Sequence, residues 1–270
     1  MSKKNAVFIP VYLFLTIVAF FWLSPFSWLI LTSFNPSGTG AFVIPERYVL
    51  DNFIEVFSTN SLRWLMNSLI ISFGSATFSV VVSLFAAYPF SRLKFKGKNT
   101  ILWGLLVIRI IPVTALLLPL FLFSIKMHWL NTWGLIFATT VLNLPFSLLL
   151  LKNFYDTVPV TYEEAALIDG ASLTQTITRI LWPMAKSGIT VIWFWTFNMA
   201  WNNFILPLIF LRTPDSWPMA VGLYSSFGMH GEINYGFLSA FSIVYAVPTI
   251  IVFFTIRRKL MSGLTGTGLK

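Results

Sequence analysis

The chain has 270 residues, of which 57% are hydrophobic and 10% charged, with a mean hydropathy of +0.80. Soluble domains carry about 25% charged residues, so the polar surface here is too small to cover a core in water. Lys and Arg outnumber Asp and Glu by 18 to 9, and the absence of cysteine excludes a disulfide framework or a thiolate metal site.

Six apolar runs follow along the chain: Val7–Leu31, Leu65–Phe90, Ile101–Ile125, Trp133–Leu151, Ile189–Leu211 and Phe237–Ile256. Each is near or above the roughly 20 residues a helix needs to cross hydrocarbon. Backbone polar groups in lipid must be satisfied internally, which favours helices. The alternating segments of about 10 residues expected of a membrane barrel are missing. The expected fold is an all-α polytopic membrane protein with six transmembrane helices.

The first run follows Lys3 and Lys4 but is too long for a signal peptide and lacks a small-x-small cleavage pattern. It reads as a retained anchor. The loop Thr32–Trp64 carries a predicted short surface helix at Leu50–Phe57. Six spans place thirteen of the 18 Lys and Arg residues on the side of the termini. Arg47, Arg63, Lys126 and Arg212 fall on the other, and Arg109 lies inside the third span. Basic residues concentrate on the cytoplasmic side, so both termini are expected there. The net charge then faces membrane lipid. No basic and aromatic interleaving outside the spans points to nucleic acid. His128 and His230 read as loop residues.

Arg109 has two readings. It lines a translocation path, or it bonds a helix carbonyl or a partner, because intramembrane charges face protein or water. Pro112 and Pro119 follow it and can open the backbone. Asn198, Asn202 and Asn203 form a polar strip in the fifth run. Cavity lining and helix-to-helix hydrogen bonding both fit such a strip.

Residues 153–187 make the longest loop on the side of the termini and hold three carboxylates within seven positions, Glu163, Glu164 and Asp169. Thr161 with Glu164 predicts a capping box. Ala165, Ala166, Leu167 and Ile168 continue the helix, and Gly170 ends it in a left-handed conformation. Ser172, with Gln175 three positions on, opens a second helix running to about Trp182, where Pro183 breaks or kinks it. A first helix of about ten residues is too short to stand alone in water, so it docks on a partner, on its own bundle or at the lipid interface. There is no P-loop pattern and no catalytic set.

Glu164-Ala165-Ala166, Gly170, Ile180 and Pro183 resemble the EAA motif of ABC importer permeases, with Trp182 where Leu is usual. Asn67-Ser68, Ala86-Ala87-Tyr88, the turn Ser91–Gly97, Trp201-Asn202-Asn203-Phe204 and the tail Gly263–Lys270 resemble the carbohydrate-uptake group, and its MalG-like maltose and oligosaccharide subunit in particular. The resemblance covers nearly the whole chain. It implies a MetI-like permease fold as a single domain over 1–270, with 153–187 as coupling loop and 257–270 as cytoplasmic tail. It also implies a pore-forming subunit of a di- or oligosaccharide importer in a bacterial or archaeal inner membrane. The implied partners are a MalF-like second permease, two ATP-binding subunits that hold ATP and Mg, and an extracellular or periplasmic sugar-binding protein. No cofactor is expected in this chain. The ATPase contact would fall on Glu163, Glu164, Ala165, Ala166, Asp169 and Gly170, and the tail contact on Gly263, Gly266 and Lys270. A permease for glycerol phosphate is an alternative. So is a secondary carrier, although the runs contain no Asp or Glu.

Overall fold

A computed structural model describes residues 3–36, 38, 40, 43–227 and 233–265, and every regular element among them is helical. In chain order these are α1 (Lys3–Ser33), α2 (Asp51–Ser58), α3 (Ser61–Arg92), α4 (Lys98–Ile108), α5 (Val113–Lys126), α6 (Thr132–Asp156) and α7 (Thr161–Ile168). The single turns α8 (Leu173–Gln175) and α9 (Trp182–Met184) flank a π-helical segment, Thr176–Leu181. Then come α10 (Lys186–Trp201), α11 (Ile205–Phe210), α12 (Met219–Ser226) and α13 (Tyr235–Thr265). The predicted surface helix appears as α2, displaced by one residue.

Four helices among the described residues are long and apolar enough to cross a membrane: Pro10–Ser33, Ser61–Arg92, Thr132–Asp156 and Tyr235–Leu260. A fifth candidate is the pair α4 and α5, bent by 100°. The described residues thus give four long apolar helices, or five with the bent pair, where six runs were read, and two local causes interrupt the third and fifth runs. The third run breaks where Pro112 removes a donor and pushes Ile111 out of the helical region. The amides of Arg109, Ile110 and Ile111 close tight turns onto Leu106, Val107 and Ile108 at 3.2, 3.0 and 3.2 Å. In the fifth run, α10 stops at Trp201 after 16 residues, about 24 Å at 1.5 Å per residue and short of the roughly 30 Å hydrocarbon layer. Asn202-Asn203 interrupts it, and α11 resumes two residues later.

The chain divides into two compact units, Met1–Leu62 with Gly222–Val247, and Arg63–Val221 with Pro248–Lys270. In the first, Asn52 Nδ2 donates to the carbonyls of Ser33 and Asn35 at 3.0 and 3.1 Å, fastening α2 to the end of α1. Most of α1 stands exposed, with Phe20 and Trp22 at 77% and 70%. Such surface suits lipid and not water.

In the second unit α3 turns a stripe of buried serines, Ser68, Ser72, Ser75, Ser79 and Ser83, inward. The three- and four-residue spacing places them on one helix face. Small side chains let helix backbones approach where lipid offers no hydrophobic drive. Ser79 and Ser147 of α6 share a 2.8 Å hydrogen bond, and Thr140 Oγ1 donates to the Ser75 carbonyl at 3.4 Å. One apolar cluster, including Ile71, Leu135, Ile136, Leu206 and Phe210, lies toward one end of this seam. Another, including Leu84, Leu151, Tyr155, Leu181 and Ile192, lies toward the other. Near the start of α3, Asn67 Nδ2 donates to the carbonyls of Asp215 and Trp217 at 2.8 and 3.0 Å, and Ser68 Oγ accepts from the Met219 amide at 2.8 Å. The Asn67-Ser68 pair thus pins the loop after α11.

Candidate functional site

The chain leaves α6 at Asp156, turns through Val158-Pro159 and enters α7. The Thr161 capping box does not form: the N-cap is Val160, and no side chain caps the helix. Val160 is itself helical, with φ −63° and ψ −26°, which moves Thr161 into the first turn. The carbonyls of Pro159 and Val160 take the amides of Tyr162, Glu163 and Glu164 instead. At the far end the expected stop is present. Gly170 has φ +82°, the Ala171 amide reaches the Ala166 carbonyl at 2.9 Å, and the Gly170 amide reaches Leu167 at 3.1 Å. This pair of bonds is a Schellman motif.

The second capping box forms as expected. Ser172 Oγ accepts from the Gln175 amide at 3.3 Å, and Gln175 Oε1 accepts from the Ser172 amide at 2.8 Å. Helix then continues to Met184 through the π-helical turn, which buries Thr176, Ile177 and Leu181. Pro183 has no N–H, and its ring crowds the carbonyl four residues back. The wider ladder upstream accommodates it, so the change of path comes at Ala185 and not at the proline.

The two faces of α7 differ. Glu163 and Ala166 are buried. Tyr162, Glu164, Ala165, Leu167, Ile168 and Asp169 are exposed, Ile168 by 87%. Glu163 Oε1 accepts from both Nε and Nη2 of Arg92 at 2.6 Å, and the two side chains are 3% and 10% exposed. Arg92 is the last residue of α3, where a cation complements the helix dipole. Its Nη2 also donates to the Val158 carbonyl at 2.9 Å and its Nη1 to Ser91 Oγ at 3.0 Å. Ser91 Oγ donates in turn to Asp156 Oδ1 at 2.6 Å, and Lys152 reaches Asp156 Oδ2 at 2.5 Å. The network joins the ends of α3 and α6 to α7. Of the acids expected to face a partner, Glu164 and Asp169 point outward and Glu163 points in.

Arg109 caps the C-terminus of α4 at the bend. Its guanidinium lies 4.7 Å from the Phe146 ring centroid, a cation–π distance, in a cleft with Asn153 and Trp195. Asn198 lines a different, largely apolar cleft with Phe194, Phe253 and Arg257, and Trp195 borders both. Asn202 Nδ2 donates to the Asn198 carbonyl and Oδ1 at 3.0 and 2.7 Å. Asn203 Oδ1 accepts from the Leu206 amide at 3.0 Å, capping α11. The polar strip therefore bonds largely to its own helices. Gly263 lies in the last turns of α13, while Gly266, Lys270 and His230 lie outside the described residues. His128 is a loop residue in the left-handed region, with φ 55°. No cluster among the described residues could hold a metal.

Asp156 was not singled out by the sequence. Ser91 and Arg92 entered only as part of the Ser91–Gly97 turn and of the basic side of the spans, with no partner assigned to either.

Comparison with known proteins agrees on one lineage. Residues 79–263 match the family described as binding-protein-dependent transport system inner membrane component. The chain is 33% identical over 260 residues to the trehalose/maltose transport system permease protein MalG of Thermococcus litoralis, covering 94% of each. It is 30% identical over 266 residues to the galactooligosaccharides transport system permease protein GanQ of Bacillus subtilis, covering 96% of this chain and 94% of that one. The fold superimposes on a chain of a bacterial ABC transporter involved in the import of the acidic polysaccharide alginate. The TM-score is 0.82 at 19% identity, over 96% of this chain and 98% of the other. That likeness speaks for the fold alone.

Proposed function

The chain belongs to the family of binding-protein-dependent transport system inner membrane components, and from that premise we propose how it takes part in sugar uptake. It is a multi-pass membrane protein and the permease component of an ABC-type carbohydrate importer, whose partner subunits hydrolyse ATP. The cargo we propose is a di- or oligosaccharide, the class named for the relatives that handle trehalose or maltose and galactooligosaccharides.

In this reading the chain is a single permease domain over 1–270. The bent pair α4–α5 and the interrupted pair α10–α11 complete six crossings, with both termini in the cytoplasm. A MalF-like second permease completes the pore. Two ATP-binding subunits sit beneath, and an external sugar-binding protein delivers cargo. The loop 153–187 couples to one ATP-binding subunit through Glu164, Ala165, Asp169 and Gly170, while Glu163 and Ala166 hold the helix from behind. The tail from 257, with Gly263, Gly266 and Lys270, lies along the ATPase pair. Arg109, Asn198, Asn202 and Asn203 shape the path chiefly by fixing the helix breaks beside it.

The observation that carries this reading is the outer face of α7, where Tyr162, Leu167 and Ile168 stand exposed together with Glu164 and Asp169. Apolar side chains flanked by acids suit a groove with a basic rim. The test is co-purification with the ATP-binding subunits, then uptake of labelled sugars in proteoliposomes with the binding protein. ATP-dependent uptake of a di- or oligosaccharide is the expected result. Uptake without ATP, or only of other solutes, would overturn it.

A further inference from the structure

The two acids at the start of α7 do different work. Glu164 is solvent-facing. Glu163 lies one residue earlier, about 100° around the helix on its buried face, and is closed off by Arg92, which also donates to the Val158 carbonyl and Ser91. A carboxylate 3% exposed and 2.6 Å from a guanidinium 10% exposed has no face left for a second protein. Its position also matters. Arg92 ends α3, a 32-residue helix, and Val158 and Asp156 belong to the chain leaving α6. The side chain of Tyr88, also on α3, hydrogen-bonds Glu163 as well, and α7 packs in addition against the π-helical segment.

We propose that the Arg92–Glu163 pair is the strut through which movement of α7 reaches α3, making Arg92 and Glu163 positioning residues for transport and not part of the ATPase contact. The inference rests on the coupling reading of loop 153–187. A push on the exposed face of α7 can be absorbed by rotation of a two-turn helix in its loop, or it can be passed on. The bifurcated contact at Glu163 Oε1 opposes rotation because a turn of α7 would withdraw the carboxylate into a site that leaves Arg92 buried and unpaired, which is strongly unfavourable. Movement therefore passes to the end of α3. From there it continues along the serine-lined seam with α6.

The test uses the assembled transporter with its ATP-binding subunits and sugar-binding protein in lipid nanodiscs and proteoliposomes. Glu163→Gln keeps the shape and removes the charge. It is expected to retain the ATP-binding subunits, to lose uptake at least ten-fold, and to hydrolyse ATP at a rate that no longer rises with loaded binding protein. Glu164→Gln is expected to weaken subunit retention instead. Because the chain has no cysteine, nitroxides on Leu93→Cys and Thr161→Cys, both exposed and outside the proposed ATPase contact, attached before assembly, report the α3–α7 distance. With the strut intact the distance distribution is one narrow peak, unmoved by ATP. With Glu163→Gln it broadens or shifts. Arg92→Lys, which keeps the charge but not the fork, is expected to be intermediate and carries the test if Glu163→Gln does not fold. Uptake within two-fold of wild type, loss of the ATP-binding subunits in Glu163→Gln, or an unchanged label distance would each overturn the proposal. If the wild-type chain itself retains no ATP-binding subunit, the coupling reading fails, while the label distance still reports on the strut.

Discussion

Gly188 of α10 lies against the ring of Phe154 on α6 so closely that a β-carbon would overlap it. Helix crossings in membranes often depend on such a small residue. Gly188→Ala is expected to destabilise the protein by about 1–3 kcal/mol, the usual range for overpacking, and Gly188→Leu by more. Thermal unfolding in detergent measures this. Phe154→Leu in the same chain should recover part of the loss, and strict additivity of the two changes would show that they do not touch.

Gly170 makes the opposite case. A β-carbon there would meet nothing within 4 Å, yet φ is +82°. The penalty for Gly170→Ala is then backbone strain alone, about 1–2 kcal/mol. Asn tolerates the left-handed region better and should cost less. Uptake and protease sensitivity of loop 153–187 are expected to rank Gly, Asn, Ala. Equal behaviour of Asn and Ala would show that the helix end has relaxed.

Asn203 caps α11 through the Leu206 amide. Asn203→Ala should cost about 1 kcal/mol of stability, whereas Asn203→Ser should retain most of it. If the residue serves sugar recognition and not helix geometry, the Ser variant will change sugar preference without a change in unfolding temperature.

Along the α3 seam, Ser79 bonds Ser147, while the buried hydroxyls of Ser72 and Ser83 have no partner among the described residues. Ser79→Ala should cost about 0.6 kcal/mol, the typical value for an interhelical hydrogen bond in lipid. Ser72→Ala and Ser83→Ala remove an unsatisfied group and should be neutral or stabilising. Reversible unfolding in mixed detergent distinguishes the two sets. A clear loss in Ser83→Ala would mean that its hydroxyl is paired in the assembled transporter.

The features legible in the sequence were those with local causes. Long apolar runs marked α1, α3, α6 and α13. Gly170 marked a left-handed stop, and Ser172 with Gln175 marked a capping box, because both depend on bonds across a few residues. The Thr161 box failed for an equally local reason, since Val160 entered the helix first. The breaks were harder to see. Pro112 and Asn202-Asn203 occupy runs whose average hydropathy still satisfies a membrane span, so composition concealed a 100° bend. Least visible was the Arg92–Glu163 pair. Seventy-one positions separate its members, and only the meeting of the end of α3 with the start of α7 brings them together.

The burial of Glu163 has a consequence for how α7 sits beside a bilayer. With that acid matched to Arg92, the charges left on the open side of the helix and its cap are Glu164 and Asp169, both negative. Anionic headgroups draw in Lys and Arg and repel carboxylates. With the loop on the cytoplasmic side as proposed, the same surface potential that draws in the basic flanks of the spans disfavours laying this helix down on the leaflet. In that orientation its apolar residues remain open to a partner from the aqueous side.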